Sequence, residues 1–277
     1  MTKNHNGENT IPAWAIDPAE ATRRAADFIA ATVSDAGKQS VVVGLSGGID
    51  SAVSAALAKR GLGADNVLGL FLPYATSNPD SLADARAVAD NLGIRSEQIE
   101  ITPLVEAWFQ LQPQADTLRR GNVMARARMI VLYDLSARDD SLVLGTGNRS
   151  EWLLGYTTLY GDNACALNPI GDLYKTEIRL LAAHLELPEV LLQKAPSADL
   201  WSGQADEDEL GFTYAEADRL LHHLVDEGLG ERQLHALGFE SRLIERVRSR
   251  LFKTAFKRSL PPVAAFPGRP HPDRVSS

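Results

Sequence analysis

Short apolar strands that alternate with helices, and a glycine-rich turn directly after the first strand, predict an α/β fold. Its expected form is a doubly wound parallel sheet with flanking helices. Asp17, Pro18 and Glu20 read as an N-cap, a first-turn proline and a capping acid. Ala25, Phe28, Ile29 and Val33 then recur at helical spacing, so a first helix is expected over about 18 to 36. Ser40 to Leu45 (SVVVGL) is β-branched without polar alternation, the pattern of a strand covered on both faces. A glycine turn and an alanine-rich helix, Ser51 to Arg60, follow. The alternation continues with strand Val67 to Pro73, helix Pro79 to Leu92, a strand around Gln98 to Ile101, helix Asn122 to Ala137 and strand Ser141 to Gly145. Such strands join through right-handed crossovers. Beyond Gly145 the pattern is mostly helical, with Lys175 to Leu185 and Tyr214 to Glu227 clearest. A single domain is expected over 16 to 259. Residues 1 to 15 are polar and aperiodic, and 260 to 277 carry Pro261, Pro262, Pro267, Pro270 and Pro272, so both ends read as tails.

The 277 residues, 44% of them apolar, suffice to bury a sizeable core, which excludes disorder throughout. No apolar run approaches the roughly 18 residues of a membrane span, and no secretory signal opens the chain, so a cytoplasmic protein is expected. With 28 Lys+Arg against 36 Asp+Glu, the net charge is −8. That balance argues against sequence-independent nucleic-acid binding, and no nucleic-acid partner is expected. The single cysteine, Cys165, excludes an internal disulfide and a cysteine-rich zinc site. A lone cysteine is ordinarily a small buried residue. His5, His184, His222, His223, His235 and His271 show no metal-ligand spacing.

In an open parallel sheet, ligands bind beyond the carboxyl ends of the strands. The first such turn reads Gly44-Leu45-Ser46-Gly47-Gly48-Ile49-Asp50-Ser51. Two adjacent glycines let the backbone approach an anion, and the following helix points its free N–H groups at the same spot. The turn lacks the spacing of a dinucleotide fingerprint and the Gly-Lys-Ser/Thr ending of a Walker loop. Asp50 beside bound phosphates would repel them unless a divalent cation lay between, which implies Mg²⁺. Read on its own, Gly47-Gly48 is equally a tight turn and Asp50 a helix cap.

Ser46 to Ser51 resembles S-G-G-x-D-S, the pyrophosphate loop of ATP pyrophosphatases, which have the adenine nucleotide alpha hydrolase-like, Rossmann-like fold. Gly121 to Met129, Gly145 to Glu151, Pro169 to Thr176, Pro196 to Trp201 and Asp206 to Gly211 further resemble the ammonia-dependent NAD synthetase family, over about 20 to 260. The resemblance implies ATP held by Gly44 to Ser51, Thr146, Lys175 and Ser197, with Mg²⁺ on Asp50 and Glu151. It assigns catalytic work to Ser46, Asp50 and Lys175. It also implies a loop over the site at Asp206 to Glu209, and a homodimer. Taken alone, Lys175 also suits a solvated helix start and Glu151 a cap. Arg126 falls where the family holds its second substrate, though an arginine on an amphipathic helix ordinarily faces solvent.

The family's substrate-contacting lysine, aspartate and histidine are replaced by Leu159, Ala166 and Phe256, while Arg126 and Lys257 remain to grip an anionic group. Loss of three polar contacts, each worth roughly 1.5–3 kcal/mol, would favour a carboxylate other than deamido-NAD. The implied reaction adenylates a small-molecule carboxylate and transfers ammonia or an amine to it, releasing AMP and pyrophosphate. No glutaminase segment is expected within these residues. A protein that holds ATP without turnover would also suit the altered positions, but two close carboxylates repel unless they share a metal. A tRNA-modifying role is weakened by the single cysteine and the acidic charge.

Overall fold

Val41, Val42 and Val43 are all fully buried, which requires cover on both sides of the strand that carries them. Val41 and Val43 join one hydrophobic cluster and Val42 another, as alternation along a strand dictates. The computed structural model describes residues 12–197, 204 and 206–264. In chain order its elements are α1 (Pro18–Asp35), β1 (Val41–Gly44), α2 (Ile49–Leu62), β2 (Val67–Phe71), α3 (Pro79–Leu92), β3 (Arg95–Gln98), α4 (Thr102–Phe109), α5 (Thr117–Arg138), β4 (Leu142–Val143), α6 (Arg149–Leu154), α7 (Lys175–His184), α8 (Glu189–Gln193), α9 (Asp206–Leu210), α10 (Tyr214–Leu221), α11 (Glu231–Ala236) and α12 (Ser241–Lys253). A π-helical turn, His222–Asp226, continues α10.

The four strands run parallel in the order β3-β2-β1-β4, with Val41 beside Val67 on one side and Leu142 on the other. Helices α1, α2, α3 and α7 cover one face through Ile29, Leu57, Val88 and Ile178. Helices α4 and α5 cover the other through Val105, Phe109, Met124 and Leu135. The sheet is therefore doubly wound, as the alternation predicts. A third cluster, including Leu154, Tyr214, Leu220, Ile244 and Val247, joins α6, α10 and α12. No described helix is long and apolar enough to cross a membrane.

The differences from expectation are local. β3 lies three residues earlier than the strand placed at Gln98 to Ile101, because it is the sheet's edge and its sequence, RSEQ, is almost wholly exposed. Ile101, the last residue of the expected strand, is instead buried at the entry to α4. The polar start of the chain is also shorter than expected. Trp14 packs edge-on to Tyr174 and stacks on His222, and the Ile16 N–H donates to Glu177. The rest of the two expected tails, 1–11 and 265–277, lies outside the described residues.

α2 is buried on nearly every side from Ile49 to Ala58, so the turn that feeds it has no room to shift. Gly47 has φ +74°, and a Cβ there would lie 2.0 Å from the Ser81 carbonyl oxygen on α3. Both the backbone conformation and the contact demand glycine. Gly47→Ala should therefore lower stability by at least ~1–2 kcal/mol. Denaturant unfolding checks this, and an unchanged midpoint would contradict it.

Candidate active site

The carboxyl ends of β1, β2 and β4 open into a cavity of about 660 Å³, within the range of small-molecule sites. Its floor is the glycine turn, which hydroxyl groups tie to itself. Ser51 Oγ donates to the Gly48 carbonyl at 3.0 Å and accepts from the Ser46 N–H at 3.2 Å, while Ser46 Oγ accepts from the Gly48 N–H at 3.2 Å. From the α3 side, Lys194 Nζ donates to the Gly47 carbonyl, Ser81 Oγ and Asp84 Oδ2 at 3.2, 3.2 and 2.7 Å. α2 begins with Gly48 as its cap and no side-chain cap bond, so the amides of its first turn remain available to an anion.

Asp50, in the first turn of α2, meets two partners from the far half of the chain. The Asn148 side-chain amide donates to Asp50 Oδ1 at 2.9 Å, and the Lys175 ammonium donates to Oδ2. The ammonium also lies 3.6 Å from Glu151 Oε1. Glu151 is fixed by a capping box, since its Oε2 accepts from the Asn148 N–H at 3.1 Å and its own N–H donates to Asn148 Oδ1 at 3.0 Å. Burial works against a charge on Lys175, but Asp50 and then Glu151 hold it protonated, above the ordinary lysine value. Burial pushes the Glu151 carboxyl up, and the neighbouring Asp50 charge adds to the rise. Two hard oxygen donors at the mouth of an anion cradle fit a magnesium-class cation.

Asp218 of α10 supports this cluster from behind. It is fully buried and accepts from the Ser150 hydroxyl and, at 2.9 Å, from the Thr176 N–H. Ser150 Oγ in turn accepts from the Lys175 N–H at 2.9 Å. The starts of α6 and α7 are thereby held at one spacing. A further wall is acidic and phenolic. The Tyr156 hydroxyl lies 3.1 Å from Asp206 and 3.0 Å from Glu209, and desolvation raises its pKa above the usual tyrosine value.

Of the residues singled out by sequence, Gly44, Leu45, Ser46, Asp50, Ser51, Thr146, Glu151, Lys175, Ser197 and Lys257 line the cavity. Gly47, Gly48 and Ile49 shape the turn without lining it. Arg126, Leu159, Ala166 and Phe256 do not line it either. Arg126 donates to the Leu159 carbonyl at 3.1 and 3.2 Å, Ala166 is exposed and donates its N–H to the Val143 carbonyl, and Phe256 is 60% exposed. Lys257 Nζ donates to the Gly155 and Thr157 carbonyls at 2.8 and 2.6 Å, and burial lowers its pKa. All of Asp206 to Glu209, a loop by the resemblance and a helix start by its residues alone, is helix α9, and of Pro196 to Trp201 only 196 and 197 fall among the described residues. Asn148, Lys194 and Asp218 were missed. Asn148 had a signal, the Asn-x-x-Glu capping pattern; the other two act across long sequence separations and had none.

A glycine cradle at the carboxyl edge of a doubly wound parallel sheet, with two carboxylates and an ammonium over it, defines a nucleotide-binding α/β protein of the adenine nucleotide alpha hydrolase-like fold. The chain belongs to the NAD synthase family, which it matches over residues 21–261, a family of ligases that form a C–N bond. It is 53% identical to an NH(3)-dependent NAD(+) synthetase of Pelodictyon phaeoclathratiforme over 233 residues, 84% of either chain. Among solved structures it resembles the NH3-dependent NAD synthetase of Campylobacter jejuni (TM-score 0.79, 39% identity, 91% of this chain and 100% of that one). It also resembles an NMN synthetase of Francisella tularensis (TM-score 0.81, 34% identity, with the same coverage).

Asp218 yields a pH prediction. Burial pushes its pKa from 3.8 up to about 6, so the folded chain holds the proton more tightly than the unfolded one. Its contribution to stability is therefore full at low pH and is lost as pH rises through that window. In parallel thermal melts, the unmodified chain should lose stability relative to Asp218→Asn between about pH 4 and 6, with a flat difference above. A pH-independent difference would remove Asp218 as the titrating group.

Proposed function

We propose that the chain is an ammonia-dependent NAD synthetase, with ATP as co-substrate, Mg²⁺ on Asp50 and Glu151, and deamido-NAD as the carboxylate. The observation that carries this reading is the meeting of the glycine cradle, Asp50, Glu151 and Lys175 in one cavity, on a chain 53% identical to a relative named for that activity. The amides opening α2, with Gly44 to Ser51, Thr146 and Ser197, hold the phosphates. Asp50 and Glu151 would hold the cation through their oxygens, and when bound it would supply positive charge against the phosphates. Lys175, kept protonated by those carboxylates, adds positive charge beside the cradle, and Ser46 keeps the turn in its anion-binding shape. The substrate carboxylate is activated as its adenylate, and ammonia displaces AMP. The chain supplies position and charge, and no covalent nucleophile is needed.

The expectation of a different acid finds no support in these relatives. Nor do the alternatives of ATP binding without turnover and of tRNA modification. Leu159, Ala166 and Phe256 also do not line the cavity of the single chain. The Francisella tularensis neighbour gives one second reading, the acid counterpart of NMN. The deciding measurement is kcat/KM for deamido-NAD against that mononucleotide acid, with ammonia, ATP and Mg²⁺. Deamido-NAD should be preferred at least tenfold, and the reverse order would overturn the assignment. Asp50→Asn and Glu151→Gln should each lower Mg²⁺-dependent pyrophosphate release at least tenfold. Unchanged turnover in both would refute the metal assignment.

A homodimer belongs to the same reading. Helices α4 and α5 leave Trp108, Ile130 and Tyr133 48%, 52% and 40% exposed, more apolar surface than a solvent-facing pair of helices needs. Light scattering should give twice the 30.0 kDa chain mass, and Ile130→Asp should shift it toward one. A 30.0 kDa species of the unmodified chain across micromolar concentrations would refute the dimer.

A further inference from the structure

The geometry points to a second metal site, remote from the ATP cavity, in which His222, His223 and Glu227 bind a zinc-class divalent cation. In a regular α-helix, neighbouring histidines point about 100° apart, which is why the sequence shows no ligand spacing here. The chain departs from that register. His222–Asp226 is a π-helical turn closed by the Glu227 N–H donating to the His222 carbonyl at 3.1 Å, five residues back. The wider turn brings the Glu227 carboxylate opposite both rings. His222 Nε2 lies 3.4 Å from Glu227 Oε1, and His223 Nδ1 lies 2.7 Å from Oε2. One ligand atom from each residue falls within 4.8 Å of the others, so small side-chain rotations suffice to place all three on one ion.

Two further observations make this more than a surface ion pair. π-turns are rare and concentrate at functional sites, since the inserted residue costs regular helix geometry. And His222 carries the orienting partner that metal-bound histidines have. Its Nδ1 lies 3.3 Å from Asp226 Oδ2, which leaves Nε2 directed at Glu227, and Asp226 is itself fixed by the Tyr174 hydroxyl and Arg149. The rings are also held from outside, His222 stacked under Trp14 at 5.0 Å and His223 against Phe239 at 5.8 Å. Two imidazoles and one carboxylate suit Zn²⁺, Ni²⁺ or Cu²⁺, and not Mg²⁺, which prefers oxygen ligands and its own waters. The Glu227 side of the cluster, 45% exposed, is open to further ligands from solvent.

The test uses the full chain stripped of metal by a chelator, then titrated with Zn²⁺ in millimolar Mg²⁺. The expected result is a Zn²⁺ site whose affinity falls at least tenfold in His223→Ala and in Glu227→Gln. The Glu227 side chain is 45% exposed, so its variant keeps the test alive if His223→Ala does not fold. Ni²⁺ should quench tryptophan fluorescence at the same site, and Trp14→Phe should remove most of that quenching. No Zn²⁺ binding at about 100 µM, or binding equally tight in both variants, would overturn the site. The second outcome would move the metal to Asp50 and Glu151 or to Cys165.

Discussion

Two carboxylates and one ammonium, each largely withdrawn from solvent, meet where three helices begin. Asp50 comes from the start of α2, Glu151 from α6 and Lys175 from α7, and Lys175 and Asp50 are 125 residues apart in sequence. Helix starts favour negative charge, so Asp50 and Glu151 suit their places and Lys175 does not. The ammonium is held there only because both carboxylates surround it, and they repel each other less because it lies between them. Removing one partner from such a buried group typically costs ~3–5 kcal/mol, because the others are left unpaired. The same arrangement that fixes the geometry of the rim therefore makes each of its members hard to replace. The neutral groups around it, Asn148 bonded to Asp50 and Ser150 bonded to Asp218 and Lys175, set direction where the charges set attraction.

What the sequence revealed follows from how locally each feature is encoded. β1 and α2 were legible because a run of valines and an alanine-rich helix can be buried on all sides in few other ways. The glycine cradle was legible because its residues are contiguous. β3 was misplaced because an edge strand needs no apolar pattern, and RSEQ has none. The long helix expected over Tyr214 to Glu227 divides at Leu221, since a π-turn substitutes one hydrogen-bond register for another without a change in composition. Asp218 and Lys194 were illegible for a different reason. Asp218 is an ordinary polar residue on α10, and Lys194 an ordinary lysine just past the end of α8, until the fold brings Thr176 or Gly47 to them from 42 or 147 positions away.

The altered positions show how a residue can matter through its backbone alone. A ledger of lost contacts at Leu159, Ala166 and Phe256 assumes that their side chains faced a substrate. Position 159 offers its carbonyl to Arg126, and position 166 offers its N–H to Val143; any residue but proline provides both groups. Phe256 stands in solvent. Substitution at such places changes little at the cavity wall, which is compatible with a conserved reaction among relatives about half identical to this chain.

Helix α6 depends on contacts at both of its ends. Six residues are too few for a helix to persist unaided, yet this one carries Glu151 and positions Ser150. Its first turn is closed by the Asn148–Glu151 capping box. Its last turn is closed from about a hundred residues away, by Lys257 on the Gly155 and Thr157 carbonyls and Arg258 on those of Trp152 and Leu153. Cations at a helix carboxyl end satisfy its orphan acceptors and oppose its dipole. Gly155, at φ +63°, makes the close passage possible, because a Cβ there would lie 2.2 Å from Thr254. Lys257 thus steadies the helix that holds Glu151 from the cavity wall that it also lines, and burial lowers its pKa.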